Sequence, residues 1–152
     1  MYKRQAAVKL HEVYNEALGI NEGYVVSDEY RWNGYDQGHK RDQEHAKDIA
    51  NQFAITRQDI VVLDPSAYSL RMEFRRLGQT TIKGNNKIIP GIEYTTKALS
   101  EGKVKIYEKC NYLLGEMGEY VWDEKGVKPV KANDHFCDAL RYAVVHARNR
   151  LF

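Results

Sequence analysis

The chain has 152 residues, 43% of them hydrophobic and 29% charged, with a formal net charge of +2. This length supports one domain, residues 1–152, with its own core, and the composition excludes disorder and collagen-like repeats. A net charge this small does not by itself announce a nucleic-acid partner, and no run approaches the roughly 18 apolar residues of a spanning helix. The opening MYKRQAAVKL has no apolar run of signal-peptide length, so a cytoplasmic location is expected. Cys110 and Cys137 stand far apart in no CxxC arrangement and are expected to be buried free thiols.

In chain order, QAAVKLHEVY (5–14) has apolar positions that suit a strand or a short helix. NEALGINEG (15–23) carries turn chemistry, and YVVSDEYRW (24–32), aromatic and β-branched, predicts the second strand of a meander. After a polar loop, Ala46, Ile49, Ala50 and Phe53 recur at helical spacing within 41–54. DIVVLDPS (59–66) changes period: its continuous apolar run predicts a buried strand with Asp64 at the carboxyl end. A helix over about 68–77 stops at Gly78, and QTTIKG (79–84) is a further strand. GNNKIIPG (84–91) is either a phosphate-contacting loop or a plain turn. A helix entered through Pro90 and closed by Gly102, a strand at 103–108 and a helix at 111–123 follow. The last helix starts near Asn133 or Asp134 and runs to about Arg148, with Phe136, Leu140, Ala143, Val144 and Ala147 on one face. Strands first, then alternating helix and strand, predict an α/β fold: a mixed sheet flanked by helices.

The informative residues are acids. Hard divalent cations take oxygen ligands, and carboxylates brought together from distant parts of a chain can hold the paired ions that activate water for phosphodiester hydrolysis. Asp64, at a strand end before Pro65 and Ser66, is either one such ligand or a turn cap. In NDHFCDALRY (133–142), Asp138 shares a helix face with both Asp134 at i−4 and His135 at i−3. Its bland alternative is that Asp134 caps the helix and Asp138 favours its positive amino end. His135 is open to three roles: metal ligand, general base or surface residue. Asp28 and Glu29 are expected to be surface acids at a strand end, and the other histidines show no ligand spacing.

Three stretches, in this order and spacing, resemble the C-terminal nuclease domain of phage large terminase subunits: VVLDPSAYSLRMEFRRLG, NNKIIPGIEYTTKALSEGKVKIYEKCNYLLGEMGEYVWDEK and KPVKANDHFCDALRYAV. The resemblance runs from about Ala6 to Val145 and implies an RNase H-like fold. It also implies a Mg²⁺- or Mn²⁺-dependent endonuclease that cuts concatemeric double-stranded DNA during packaging. On that resemblance Asp64 and Asp138 match metal ligands, Asp134 a supporting acid and His135 a ligand or proton-transfer group. Arg141 and Tyr142 complete the DALRY match as packing and orienting residues. Arg71, Arg75, Arg76 and Lys83 would contact phosphate, a salt-sensitive interaction. The implied partners are DNA, the terminase ATPase part, the small terminase and the portal. In the family the domain opens with a strand bearing an Asp in a Gly-x-Asp-x-Gly setting, placed centrally between the meander and the Asp64 strand. Neither that motif nor a GxxxxGK[ST] phosphate loop occurs in the 152 residues. The expectation is therefore that another polypeptide completes the site, that the site is degenerate, or that Met1 to Tyr14 fill the central place with Glu12 or Glu29 standing in. Low activity of the isolated chain follows, and a non-catalytic module that binds DNA or packaging partners is the rival reading.

Overall fold

In the computed structural model, which describes residues 4–85, 87–119 and 134–151, the first two strands form a long antiparallel hairpin. Strand β1 (Arg4–Asn15) pairs with β2 (Ile20–Asn33), with register shifts at Lys9/Leu10 and Val13/Tyr14. A one-turn helix, α1 (Gly34–Gln37), and α2 (Asp42–Phe53) lead to β3 (Ile60–Leu63). Then come α3 (Tyr68–Arg76), β4 (Thr80–Lys83), α4 (Ile88–Ser100), β5 (Val104–Ile106), α5 (Asn111–Glu119) and α6 (His135–Leu151). The end of the helix expected over 111–123 lies outside the described residues. None of the helices among the described residues is long and apolar enough to cross a membrane.

The strands make two sheets: β1-β2-β5, with β5 parallel to β2, and the parallel pair β3-β4. The expected meander is thus a hairpin whose third neighbour is β5, reached after four intervening helices. Gly23 makes that pairing possible. At φ 121°, it lies so close to β5 that a Cβ there would sit 2.6 Å from the Lys103 carbonyl oxygen, the atom that accepts the Tyr24 N–H at 2.7 Å. Residues 4–15 form the edge strand of the β1-β2-β5 sheet, beside β2 alone among the described residues, which counts against the alternative that they fill a central position. Their alternating apolar side chains face a hairpin partner across a tight turn, and that local pairing wins over a distant one.

Alternation along β1 sends side chains to two separate cores. Ala6, Val8 and Leu10 pack on a cluster that holds Val26, Val104, Leu113, Leu140 and Val144, on the side of α4, α5 and α6. Ala7 packs on the other, with Tyr30, Ile49, Phe53, Leu70 and Phe74, on the side of α2 and α3. A buried polar network ties the second core to its rim. His45, 2% exposed, places Nδ1 2.8 Å from the Tyr30 hydroxyl. Lys40 reaches the same hydroxyl at 2.9 Å and pairs with Asp48. Burial and the Lys40 charge lower the His45 pKa, so the imidazole is kept neutral.

Candidate active site

Asp64 is the first residue after β3, and its carboxylate is held from two sides. Oδ1 accepts the Ser66 N–H at 2.8 Å and the Ser66 hydroxyl at 2.6 Å, a local Asx-type turn that bends the chain away from the sheet. Oδ2 accepts the Tyr142 hydroxyl at 2.7 Å across 78 residues of sequence. Burial first, and then the bond to Asp64, push the Tyr142 phenol up to about 12, so it remains a neutral donor.

Tyr142 fits there because of Gly84. A Cβ on Gly84 would lie 2.7 Å from Tyr142 Cγ and 2.9 Å from Cε1, so no larger residue leaves the ring in place. The Gly84 N–H is itself pinned to the Leu63 carbonyl at 2.6 Å, beside Asp64.

The neighbouring residue orients the other acid. Arg141, only 4% exposed, donates from Nη2 to Asp138 Oδ1 at 3.0 Å, and its guanidinium lies 4.8 Å from the centre of the Tyr142 ring. The i,i+3 spacing puts Arg141 and Asp138 on one helix face, while Tyr142 points to the strand-end acid. DALRY therefore supplies one acid and the two side chains that position both acids.

The amino end of α6 is satisfied from outside the helix. Glu116 of α5 accepts the Phe136 and Cys137 N–H groups at 2.8 and 3.0 Å on one carboxylate oxygen. Burial raises the Glu116 pKa against the lowering effect of those two bonds. Asp134 is buried, and its carbonyl accepts the Asp138 N–H at 2.8 Å, the first bond of the helix. Cys137 is half-buried and Cys110 fully buried, both free, and burial pushes Cys137 up to about 12.

Asp64, Asp138, His135 and Tyr142 line one cavity of about 340 Å³ that lies between β1 and β3. His135 is exposed on its rim, and Asp134 lies outside its lining. Asp64 and Asp138 thus line the same cavity from elements far apart in the chain. Among the described residues no three His, Cys, Asp or Glu side chains gather into a group able to hold a metal ion. Glu29 is committed elsewhere: its two carboxylate oxygens each accept at 2.9 Å, from the Tyr112 and Leu113 N–H groups at the start of α5. It therefore does not stand in as a third acid at the cavity, and Glu12 lies outside the cavity lining. Of the four basic residues, Arg75, Arg76 and Lys83 are exposed, Arg76 paired with Glu73, and Arg71 is half-buried over the Tyr68 ring. At 84–91, Asn85 Oδ1 accepts the Lys87 N–H, and α4 begins at Ile88.

Sequence reasoning missed Gly84 and Glu116. The Glu116 bonds span 20 residues, and no local spacing signals them.

The layout is that of an RNase H-like fold, and the P22 large terminase nuclease domain superposes on 97% of the chain with a TM-score of 0.67 at 17% identity, over 82% of its own length. Over most of its length the chain is homologous to phage large terminase subunits. A large terminase from a thermophilic bacteriophage matches 95% of the chain with a TM-score of 0.78 and 30% identity. The large terminase subunit of Escherichia phage T5 is 23% identical over 88% of the chain. The chain spans only 38% and 35% of the length of these two proteins, respectively. No family model matches the chain.

Proposed function

We propose that the chain is the metal-dependent endonuclease domain of a phage or prophage DNA-packaging terminase, cutting concatemeric double-stranded DNA. The observation that carries this reading is the meeting of Asp64 and Asp138 at one cavity, each carboxylate held by a DALRY side chain. The two carboxylates fit the oxygen-donor preference of Mg²⁺ or Mn²⁺. Asp64 and Asp138 would hold the ion, which when bound supplies Lewis acidity and a nucleophilic hydroxide at neutral pH. Tyr142 and Ser66 keep the Asp64 carboxylate turned to the cavity, and Arg141 does the same for Asp138. His135, exposed on the rim, would take or give a proton at the leaving oxygen, with Asp134 as a supporting acid. Arg71, Arg75, Arg76 and Lys83 would hold the phosphate backbone near the cavity, with an affinity that falls steeply with salt. The ATPase part, the small terminase and the portal are the corresponding partners, in the cytoplasm of a bacterial host.

Mn²⁺-dependent plasmid nicking tests this. Asp64→Ala and Asp138→Ala should each abolish it, and unchanged nicking in either variant overturns the assignment. A second reading, a non-catalytic module that binds DNA or packaging partners, is favoured by the gathering of only two acids among the described residues. Titration calorimetry with Mn²⁺ separates the two: a saturable site lost in Asp64→Asn supports the nuclease, and no binding supports the module.

A further inference from the structure

A second cavity, of about 350 Å³, adjoins the one lined by the two acids, with Arg4 to Ala6 and His135 common to both. Its remaining walls come from the end of β2 and the starts of α5 and α6, and its volume is that of a small-ligand cleft.

The walls carry an aromatic ring that is exposed and yet held in place. Tyr112, on the first turn of α5, is 51% exposed. Its ring stacks on Phe136 of α6, itself 4% exposed, with centroids 5.9 Å apart and planes 11° from parallel. The Arg31 guanidinium of β2 lies over the Tyr112 ring, 4.8 Å from its centre, and is fixed in turn by its pair with Asp36 at 3.1 Å. Side chains from three elements thus converge on one exposed ring. Trp32 also lines the cavity, but Lys40 Nζ sits 4.1 Å over its ring and its indole N–H donates to the Gly38 carbonyl at 2.9 Å. Tyr112 is therefore the available platform.

Charge narrows the ligand. The lining holds two arginines, Arg4 and Arg31, and one acid, Glu116, whose Oε1 is committed to the Phe136 and Cys137 N–H groups. Glu29 accepts the Tyr112 and Leu113 N–H groups, so the attraction for an anion comes from the arginines and not from the end of α5. An aromatic ring and a guanidinium plane in a basic setting are the surfaces on which unpaired nucleobases stack. A base inside a duplex has both faces covered by its neighbours, whereas a base turned out of the stack can reach such a platform.

We propose that this cavity is a subsite for one unpaired nucleotide of the DNA, its base against Tyr112 and Arg31 and its sugar–phosphate towards His135. The strand beside the acids is then held locally open, with one nucleotide out of the duplex next to the phosphate to be cut. This deepens the nuclease reading and rests on it for the substrate, but binding without metal requires no cleavage. Failure here leaves the outcome of the Asp64→Ala nicking assay standing, and failure there leaves this one.

The test measures fluorescence anisotropy with the full chain in EDTA. The probes are a labelled duplex with a single-thymidine bulge, the same duplex with the bulge made abasic, and the fully paired duplex. The thymidine bulge should bind at least about fivefold more tightly than either control. Tyr112→Ala should erase that advantage and leave the affinity for the paired duplex and the far-ultraviolet circular dichroism unchanged, while Tyr112→Phe should keep the advantage. Arg31→Ala should reduce it as well, and reads the same site should Tyr112→Ala fail to fold. Equal affinity for the three duplexes, no binding of any of them, or an advantage that survives Tyr112→Ala overturns the proposal. So does displacement of the bulged duplex by a polyglutamate peptide as effectively as by oligothymidylate of equal charge, which would make this a surface for acidic protein segments.

Discussion

Replacing Tyr142 with Phe removes one oxygen and little else, because the ring stays between Gly84 and Arg141. The hydroxyl it removes donates to Asp64 Oδ2 at 2.7 Å. Hydrogen bonds to charged groups contribute about 1.5–3 kcal/mol. Asp64 is exposed, so water replaces part of the lost bond and the expected cost is about 1–2 kcal/mol. The rise of the phenol from 10.0 to about 12 corresponds to a ceiling of about 2.7 kcal/mol. Burial is its largest cause, and that part is no measure of the bond. Urea denaturation near neutral pH should show the loss, and thermal melting should show a Tm shift of about 2–4 °C per kcal/mol. The raised phenol sets the sign at high pH. Its folded-state value exceeds the unfolded one, so its contribution is fully present below about pH 10 and is lost as pH rises through about 12. Between those limits the parent protein should lose stability faster than Tyr142→Phe. A double-mutant cycle with Asp64→Ala should place most of the loss in the pair. Equal stability near neutral pH together with equal slopes at high pH would refute the reasoning.

Gly84→Ala forces a Cβ into the Tyr142 ring and should cost about 1–3 kcal/mol in urea denaturation. It should also weaken Mn²⁺-dependent nicking by displacing the hydroxyl from Asp64, and a variant as stable and active as the parent contradicts the close approach. Glu116 has a folded-state pKa raised by burial, so its contribution is present below the ordinary glutamate range and lost as pH rises through the raised value. Stability of the parent should therefore gain relative to Glu116→Gln on acidification from neutrality, and parallel denaturation profiles argue against it. Replacing Phe74, 2% exposed in the core beside the cavity, by Ala should cost about 3–5 kcal/mol, and a loss under about 1 kcal/mol contradicts its packing.

Much of the local structure was legible in residue order because it depends on neighbours. Ala46, Ile49 and Phe53 predict α2 since a helical repeat puts them on one buried face. The apolar run before Asp64 predicts β3, and the DALRY spacing sets Arg141 beside Asp138 because i and i+3 share a helix face. Residues 5–14 remained open between strand and helix, as their alternation is imperfect and only pairing with β2 selects the strand.

The site itself divides along the same line. Asp64 and Asp138 stand out in the sequence as acids at a strand end and a helix start, both local features. Their meeting depends on contacts between segments far apart in the chain, made where the Tyr142 hydroxyl reaches Asp64 across 78 residues. Gly84 at the Tyr142 ring and Glu116 at the start of α6 have no periodic signature, because each acts across space on another element. What the amino-acid order determined by itself was the set of elements and the acids they carry, since propensity and periodicity act within a few residues. Only the tertiary structure decided that β1 and β3 line one cavity together with those acids, because strand neighbours are selected by long-range backbone pairing and side-chain packing.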